Sequence, residues 1–265
     1  MPSAARRPKL GQHFLTSDHY RLRVAQALPI RASDLVIEIG AGRGAMTGLV
    51  AERARQVVAV ELDRSLAEQL KVQFEGNSRV EVLQEDILAL NIGEVCRRHS
   101  VERAFVFGNL PYYITSPILH QLLLFETYIS GMAFVVQREV ALRIAARPGS
   151  RDYGYLSVFA QAYTHPRVAL KIPPGAFTPA PAVFSALITF ERAAALVPVE
   201  GRREFLDFVK LGFTQKRKKL SNNLASTYSL ANVRDALGRL GLSENARAEE
   251  LAVSELVSLF EALKR

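Results

Sequence analysis

The stretch Leu35-Val36-Ile37-Glu38-Ile39-Gly40-Ala41-Gly42-Arg43-Gly44 decides the fold. Its first five residues are largely β-branched and read as a buried strand, and three glycines follow at alternate positions. A helical pattern then runs from about Met46 to Arg55. Outward from this unit the alternation repeats. Strands are predicted at 57–61, 80–83, 104–107 and 132–136, with a helix over 65–74 between the first two of them. Short apolar strands alternating with helices indicate a mostly parallel sheet covered on both faces. The expected architecture is α/β: an open, doubly wound sheet with its ligands at the carboxyl ends of the strands. Beyond Pro166 two more strands, 168–172 and 183–190, flank the Pro-rich stretch Pro173 to Pro181. Past about Ala193 the pattern is helical, with segments near 202–213, 216–226, 232–240 and 252–263. The division is therefore placed between residues 1–195 and a small all-helical domain at 196–265.

Four strand ends carry chemistry. Gly40 and Gly42 sit at the first strand-to-helix turn, where glycine lets the backbone approach a ligand and the next helix offers free N–H groups. Glu61 closes the second strand about twenty residues later, where a carboxylate can bind ribose hydroxyls. Asp86 closes the third in the same way. Together they specify an adenosine-containing cofactor. The fourth strand runs into Asn109-Leu110-Pro111-Tyr112. An exocyclic amine is a poor nucleophile because its lone pair is delocalised into the ring. The Asn109 side-chain oxygen and the Leu110 carbonyl can accept its two N–H groups, Pro111 stiffens the turn, and Tyr112 can stack on a base turned out of its helix. That chemistry calls for S-adenosyl-L-methionine rather than a hydride carrier.

These motifs, taken in order, resemble the ribosomal RNA adenine dimethyltransferases of the bacterial small-subunit type, over nearly the whole chain. The matching stretches are Lys9 to Leu15, Glu38 to Gly44, Glu61, Glu85-Asp86, Asn109 to Tyr112, Asp152 to Val158, Phe177 to Ser185 and Phe213 to Leu220. Three features depart: His13 stands where many relatives carry Asn, Tyr155 where many carry Arg, and Thr115-Ser116 reverses the commoner order. The resemblance implies a Rossmann-like class I methyltransferase. It implies cofactor contacts at Gln12, His13, Leu15, Gly40, Gly42, Glu61, Asp86 and Asn109, catalytic positions at Asn109, Leu110, Pro111 and Tyr112, and Phe177 as a second stacking surface. The implied reaction is dimethylation of adenosine N6 in small-subunit rRNA, with a role in ribosome biogenesis and an immature small subunit as partner. The alternatives are a large-subunit rRNA methyltransferase of the macrolide-resistance type, a non-catalytic assembly or transcription factor on the same fold, and a DNA adenine methyltransferase.

Charge agrees with a polyanionic partner. The 265 residues hold 34 Lys or Arg and 26 Asp or Glu, a net +8. Residues 31–190 are nearly neutral, and the excess lies at the two ends. Its densest point is Lys216-Arg217-Lys218-Lys219, with no acid between Asp207 and Asp235. This run is assigned to RNA phosphates on a basic helix. The single cysteine, Cys96, excludes a disulfide framework, and the five histidines show no ligand spacing, so no metal is expected. No apolar run approaches the roughly 20 residues a membrane span needs, and residues 1–15 lack a signal-peptide core. A cytoplasmic monomer without a membrane partner is expected.

Overall fold

The computed structural model describes residues 13–111, 114–194, 196–197, 201–216 and 218–264. In chain order the elements are β1 (Phe14–Leu15), α1 (Asp18–Ala27), β2 (Leu35–Ile39), α2 (Thr47–Ala51), β3 (Gln56–Glu61), α3 (Arg64–Gln73), β4 (Val80–Gln84), α4 (Ile92–Arg98), β5 (Ala104–Asn109) and α5 (Thr115–Leu124). They continue with β6 (Ile129–Gln137), α6 (Arg138–Ile144), α7 (Tyr155–Gln161), β7 (Thr164–Ile172), β8 (Phe177–Thr178), β9 (Ser185–Arg192), α8 (Arg202–Gly212), α9 (Leu220–Leu224), α10 (Leu230–Arg239) and α11 (Val253–Lys264). By packing, the chain forms two units. One contains the residues up to Arg138 together with Val168–Thr189, and the other contains Glu139–Arg167 and the residues from Phe190 onward.

The first unit is built on a seven-stranded sheet of order β4-β3-β2-β5-β6-β9-β7. β2 pairs in parallel with β3 on one side and β5 on the other, β3 with β4, and β5 with β6. Successive strands thus build outward in opposite directions from β2, which makes the β2–β5 gap a topological switch point. Alternate residues of the central strands (Val36, Val57, Phe105, Phe107, Ala133, Val135) join one core cluster with Val24 and Ala25 of α1 and Val50 of α2. Burial on both faces explains why β2 and β5 read as continuous apolar runs rather than as alternating ones. The register brings Ile39 opposite both Val60 and Gly108, and Glu61 opposite Gln84. Gly40, Glu61, Glu85 and Asn109 are therefore placed at one edge of the sheet.

Several elements differ in extent from the sequence reading. α2 is only five residues long, because the chain after Ala51 must turn back to start β3, where Arg55 N–H bonds the Asp34 carbonyl at 2.9 Å. β6 is longer, nine residues. β7 begins at Thr164 and so includes Pro166, tolerated because β7 ends the strand order and an edge strand can spare an N–H. α5 is buried at Ile118, Leu119, Leu122 and Leu123. These four positions share one face of the helix.

The second unit is helical. Phe205 and Phe208 of α8 pack on Phe260 of α11, each with ring centroids 5.5 Å apart. Tyr153 is fully buried and its hydroxyl donates to the Leu251 carbonyl at 3.0 Å. The basic run is not helical as expected. Lys216 lies in a turn, Lys218 and Lys219 precede α9, and Arg217 lies outside the described residues. Two contacts fix this conformation. The Asn223 amide donates to the Gly212 and Gln215 carbonyls at 2.6 and 3.1 Å, which closes off α8. Leu220 N–H bonds the Ala246 carbonyl at 2.8 Å, which holds Lys219 extended.

Candidate active site

The glycine loop after β2 takes the left-handed backbone its sequence calls for. Gly40, Gly42 and Gly44 have φ of 68°, 60° and 74°, a region that costs other L-residues about 1–2 kcal/mol each. Two of the positions are also sterically closed: a Cβ at Gly42 would lie 3.0 Å from the Phe14 ring, and one at Gly44 2.8 Å from Phe74. Glu61 fastens the loop. Its buried carboxylate accepts the Gly42 N–H at 2.8 Å and the Asp63 N–H at 2.9 Å, one on each oxygen. Each carboxylate oxygen can accept a second donor, and Glu61 also lines a small pocket of about 80 Å³ with Gly40, Asp86, Ile87 and Pro111. Asp86 is exposed there, with one oxygen held by the Leu88 N–H at 2.9 Å.

A larger cleft of about 530 Å³ adjoins Gly40 and is lined by Phe14, Leu15, Glu38, Gly42, Asn109 and Pro179, among others. Asn109 ends β5, and its side-chain N–H donates to the His13 carbonyl at 2.9 Å. This bond fixes the amide's orientation, because a carbonyl can only accept, and it leaves the Asn109 oxygen as the free acceptor of the pair. His13 is held in turn: its Nδ1 lies 2.7 Å from the Pro179 carbonyl, so Nδ1 carries the proton and donates. Below it, Phe14 and Leu15 pair antiparallel with Thr178 and Phe177, and the Thr16 and Ser17 N–H groups bond the Ala176 carbonyl. The segment from His13 to Ser17 is thereby fastened to the chain 160 residues later.

The structure brings His13, Leu15, Gly40, Gly42, Glu61, Asp86, Asn109 and Pro111 to this one edge. Leu110 is buried and its N–H bonds the Val135 carbonyl at 3.0 Å, which keeps the turn after Asn109 against β6. Phe177 differs from its expected role. Its ring is 4% exposed and packs in the core with Leu15, Ile172 and Ala176, so this conformation offers no ring face for stacking. The hydrophobic ring sits under β8 and supports the β1–β8 pair. Gln12 and Tyr112 lie outside the described residues. Lys216, Lys218 and Lys219 belong to the other unit, where Lys216 Nζ donates to the Arg151 carbonyl at 2.5 Å.

Three side chains at the cleft carry no role in the sequence reading. Glu38 is 3% exposed and accepts the Thr47 hydroxyl at 2.6 Å. Burial pushes its carboxyl up to about 8, against the Thr47 hydrogen bond, and the Glu61 charge adds a smaller push in the same direction. Arg43 lies over the Phe14 ring at 5.1 Å. Arg21, on α1, also lines the cleft. Glu38 was legible as part of the glycine motif, but no spacing marks Arg21.

Comparison with known proteins agrees with this geometry. A family model for ribosomal RNA adenine dimethylase matches residues 4–265. The chain is 41% identical over 272 residues to ribosomal RNA small subunit methyltransferase A of Koribacter versatilis, covering 98% of this chain and 95% of that one. It is 42% identical to the protein of the same name from Acidobacterium capsulatum, covering 99% and 93%. Among solved structures, the 23S rRNA methyltransferase ErmE is similar with a TM-score of 0.72 at 28% identity, covering 95% of this chain and 100% of that one. A dimethyladenosine transferase from Plasmodium falciparum shares the fold with a TM-score of 0.80 at 20% identity, covering 93% and 96%.

Proposed function

Because the chain belongs to the ribosomal RNA adenine dimethylase family, we infer that it transfers methyl groups from S-adenosyl-L-methionine to N6 of adenosines in small-subunit rRNA, giving N6,N6-dimethyladenosine. The described residues fit the cofactor. The glycine loop brings its backbone to the cleft at Gly40, Gly42 and Gly44, and Glu61 retains acceptor capacity beside a pocket at the strand ends. When bound, the cofactor supplies a methyl group activated by its sulfonium. The chain supplies position and polarity. The Asn109 oxygen, turned away from His13, accepts one N6–H of the substrate, and the Leu110 carbonyl is assigned the second. Holding both N–H groups localises the nitrogen lone pair and aims it at the methyl carbon. Held beside Gly40, Glu61 and Asp86, the cofactor would supply the methyl carbon to that nitrogen and would leave as the neutral thioether, which keeps the bonding pair. The N6 proton then leaves to solvent.

The observation that carries this reading is the Asn109 bond to the His13 carbonyl. It tests directly. Asn109→Ala should lower turnover by about 10²- to 10³-fold, the scale of one preorganised polar contact. Its affinity for S-adenosylhomocysteine should change by no more than a few-fold. Near-normal methylation by that variant would refute the assignment.

Small-subunit rRNA is favoured over the large-subunit alternative by full-length identities of 41–42% to small-subunit enzymes, against 28% to the large-subunit one. Tritiated cofactor offered with unmethylated small and large subunits separately decides between them, and label on large-subunit RNA alone would overturn the choice. The intact Asn109 to Tyr112 motif argues against a purely non-catalytic factor. Tyr112 is assigned to stacking on the flipped adenine. The basic run at 216–219, with residues 196–265 around it, is assigned to rRNA phosphates. A monomer acting in the cytoplasm on an immature small subunit suits this chemistry, and no helix among the described residues is long and apolar enough to cross a membrane.

A further inference from the structure

The stretch Phe177 to Ser185 carries two aromatic rings, and the fold treats them oppositely. The core takes Phe177, whereas Phe184 is 42% exposed and its neighbour Val183 46%. A single exposed apolar residue needs no explanation, but three observations set this one apart. Phe184 is firmly placed: its carbonyl accepts the Arg138 N–H at 2.9 Å, and the next residue, Ser185, is fully buried where β9 begins. A cation sits on the ring, with Lys171 Nζ 4.0 Å from its centroid. The exposure of Phe184 is what remains with that ammonium in place, and it is more than the main chain of a phenylalanine presents. The surroundings are free of acid. No Asp or Glu occurs between Asp152 and Glu191, a stretch that holds Arg167 and Lys171.

The ring also lies at the working edge of the sheet. Val135 of β6 is in register with Asn109. Arg138, bonded to Phe184, follows Val135 by three residues, roughly 10 Å at the rise of a strand. Arg138 is exposed as well, and Thr178 and Pro179, a few residues before Phe184, line the cleft that holds Asn109. All of these residues belong to the first unit. We propose that Phe184 is a stacking platform for an unpaired base that flanks the target adenosine in the substrate rRNA, with Lys171 meeting that nucleotide's phosphate. The inference rests on the rRNA assignment above and adds to it a residue that positions the strand. An adenine turned out of its helix leaves its neighbours without their stacking partner, and an aromatic face restores that contact. The ammonium has three donors, so one can face the ring while another meets a phosphate oxygen. An apolar protein partner would use Val183 and Phe184 but gain nothing from the cation, whereas a ring, a lysine and an acid-free surface together suit single-stranded RNA.

Steady-state methylation of unmethylated small subunits by Phe184→Ala, Phe184→Leu, Phe184→Trp and Lys171→Gln tests the assignment. Phe184→Ala should lower kcat/KM for the subunits by about 5- to 150-fold, the range of one base–aromatic stack, and should act on KM more than on kcat. Phe184→Leu keeps an apolar side chain without a π-face and should lose nearly as much. Phe184→Trp keeps the face and should stay within about threefold of the wild type. Lys171→Gln should lower the log–log salt slope of subunit binding by about 0.7, the value for one phosphate of a single strand. Affinity for S-adenosylhomocysteine should stay within about twofold in every variant, which separates loss of an RNA contact from loss of the fold. Phe184→Ala at wild-type kcat/KM would overturn the proposal. So would Phe184→Leu at that level, since an apolar contact would then suffice and the surface would belong to a protein partner or a second copy of the chain. An unchanged salt slope in Lys171→Gln would overturn the role given to the lysine. If the wild type itself left small subunits unmethylated, the rRNA assignment would fall first and this inference with it.

Discussion

Replacing Glu38 by Gln turns its burial into a measurable pH dependence of folding. In the folded chain burial holds this carboxyl at about 8, whereas its ordinary value is 4.5. The folded state therefore binds the proton more tightly than the unfolded chain does. The sign follows from linkage. This group leaves the fold unpenalised below about 4.5, stability falls as pH rises toward about 8, and above that both states are ionised and the loss is complete. Each pH unit in that window is worth ~1.4 kcal/mol. The full loss is then roughly 5 kcal/mol, and about 3 kcal/mol of it is already present at pH 7. Glutamine has nearly the same volume, carries no titrating proton, and its carbonyl can still accept the Thr47 hydroxyl. Urea unfolding of the cofactor-free protein at intervals from pH 5.5 to 9 checks the account. The stability of Glu38→Gln relative to wild type should rise by about 1–1.4 kcal/mol per pH unit up to about 7.5 and level off above 8.5. A difference that stays constant over this range would show that Glu38 ionises normally, and the reasoning from its burial would be refuted.

Two further outcomes follow from the geometry. Gly44→Ala places a Cβ 2.8 Å from Phe74 and 2.9 Å from Leu70 at a φ of 74°. It should destabilise the fold by roughly 2–4 kcal/mol, combining backbone strain with overpacking, read as a lowered urea midpoint. Neutralising Lys216, Lys218 and Lys219 to Gln should weaken binding to small-subunit rRNA and flatten its salt dependence. The log–log slope should drop by about 2, or by about 0.7–0.9 for each phosphate that a lysine no longer neutralises. An unchanged slope would return the run to solvent.

How far the site was legible depends on where its information lies. β2, β3 and β5 are marked by local β-branched runs, and the motifs at their ends fall at one edge because a parallel register carries them there. The order of strands supplies the rest of that placement. What the sequence hides is long-range. The bond from Asn109 to His13 spans 96 residues and the one from His13 to Pro179 spans 166, and no periodicity encodes either. Phe177 sits between prolines in a motif, a pattern compatible with an exposed ring and with a packed one, and the core took it. The basic run looks helical by composition, yet Asn223 and Leu220 use their hydrogen bonds to interrupt it. Arg21 and Glu38 show why charge in a sequence says little about a cleft. Burial and partners, which decide what each group does there, are properties of the folded chain.

The anchor that orients Asn109 is a main-chain carbonyl, and this shapes how the site can vary. Every amino acid carries that carbonyl, so exchanging the residue at position 13 leaves the acceptor in place, and the active-site amide tolerates drift in its neighbour's identity. Its weak point is length. Adding or removing one residue between His13 and Asp18 would shift the β1–β8 register, carry a different carbonyl opposite Asn109 and reverse which face of the strand points inward. Natural variation in this segment should therefore appear as substitutions, with insertions and deletions kept out.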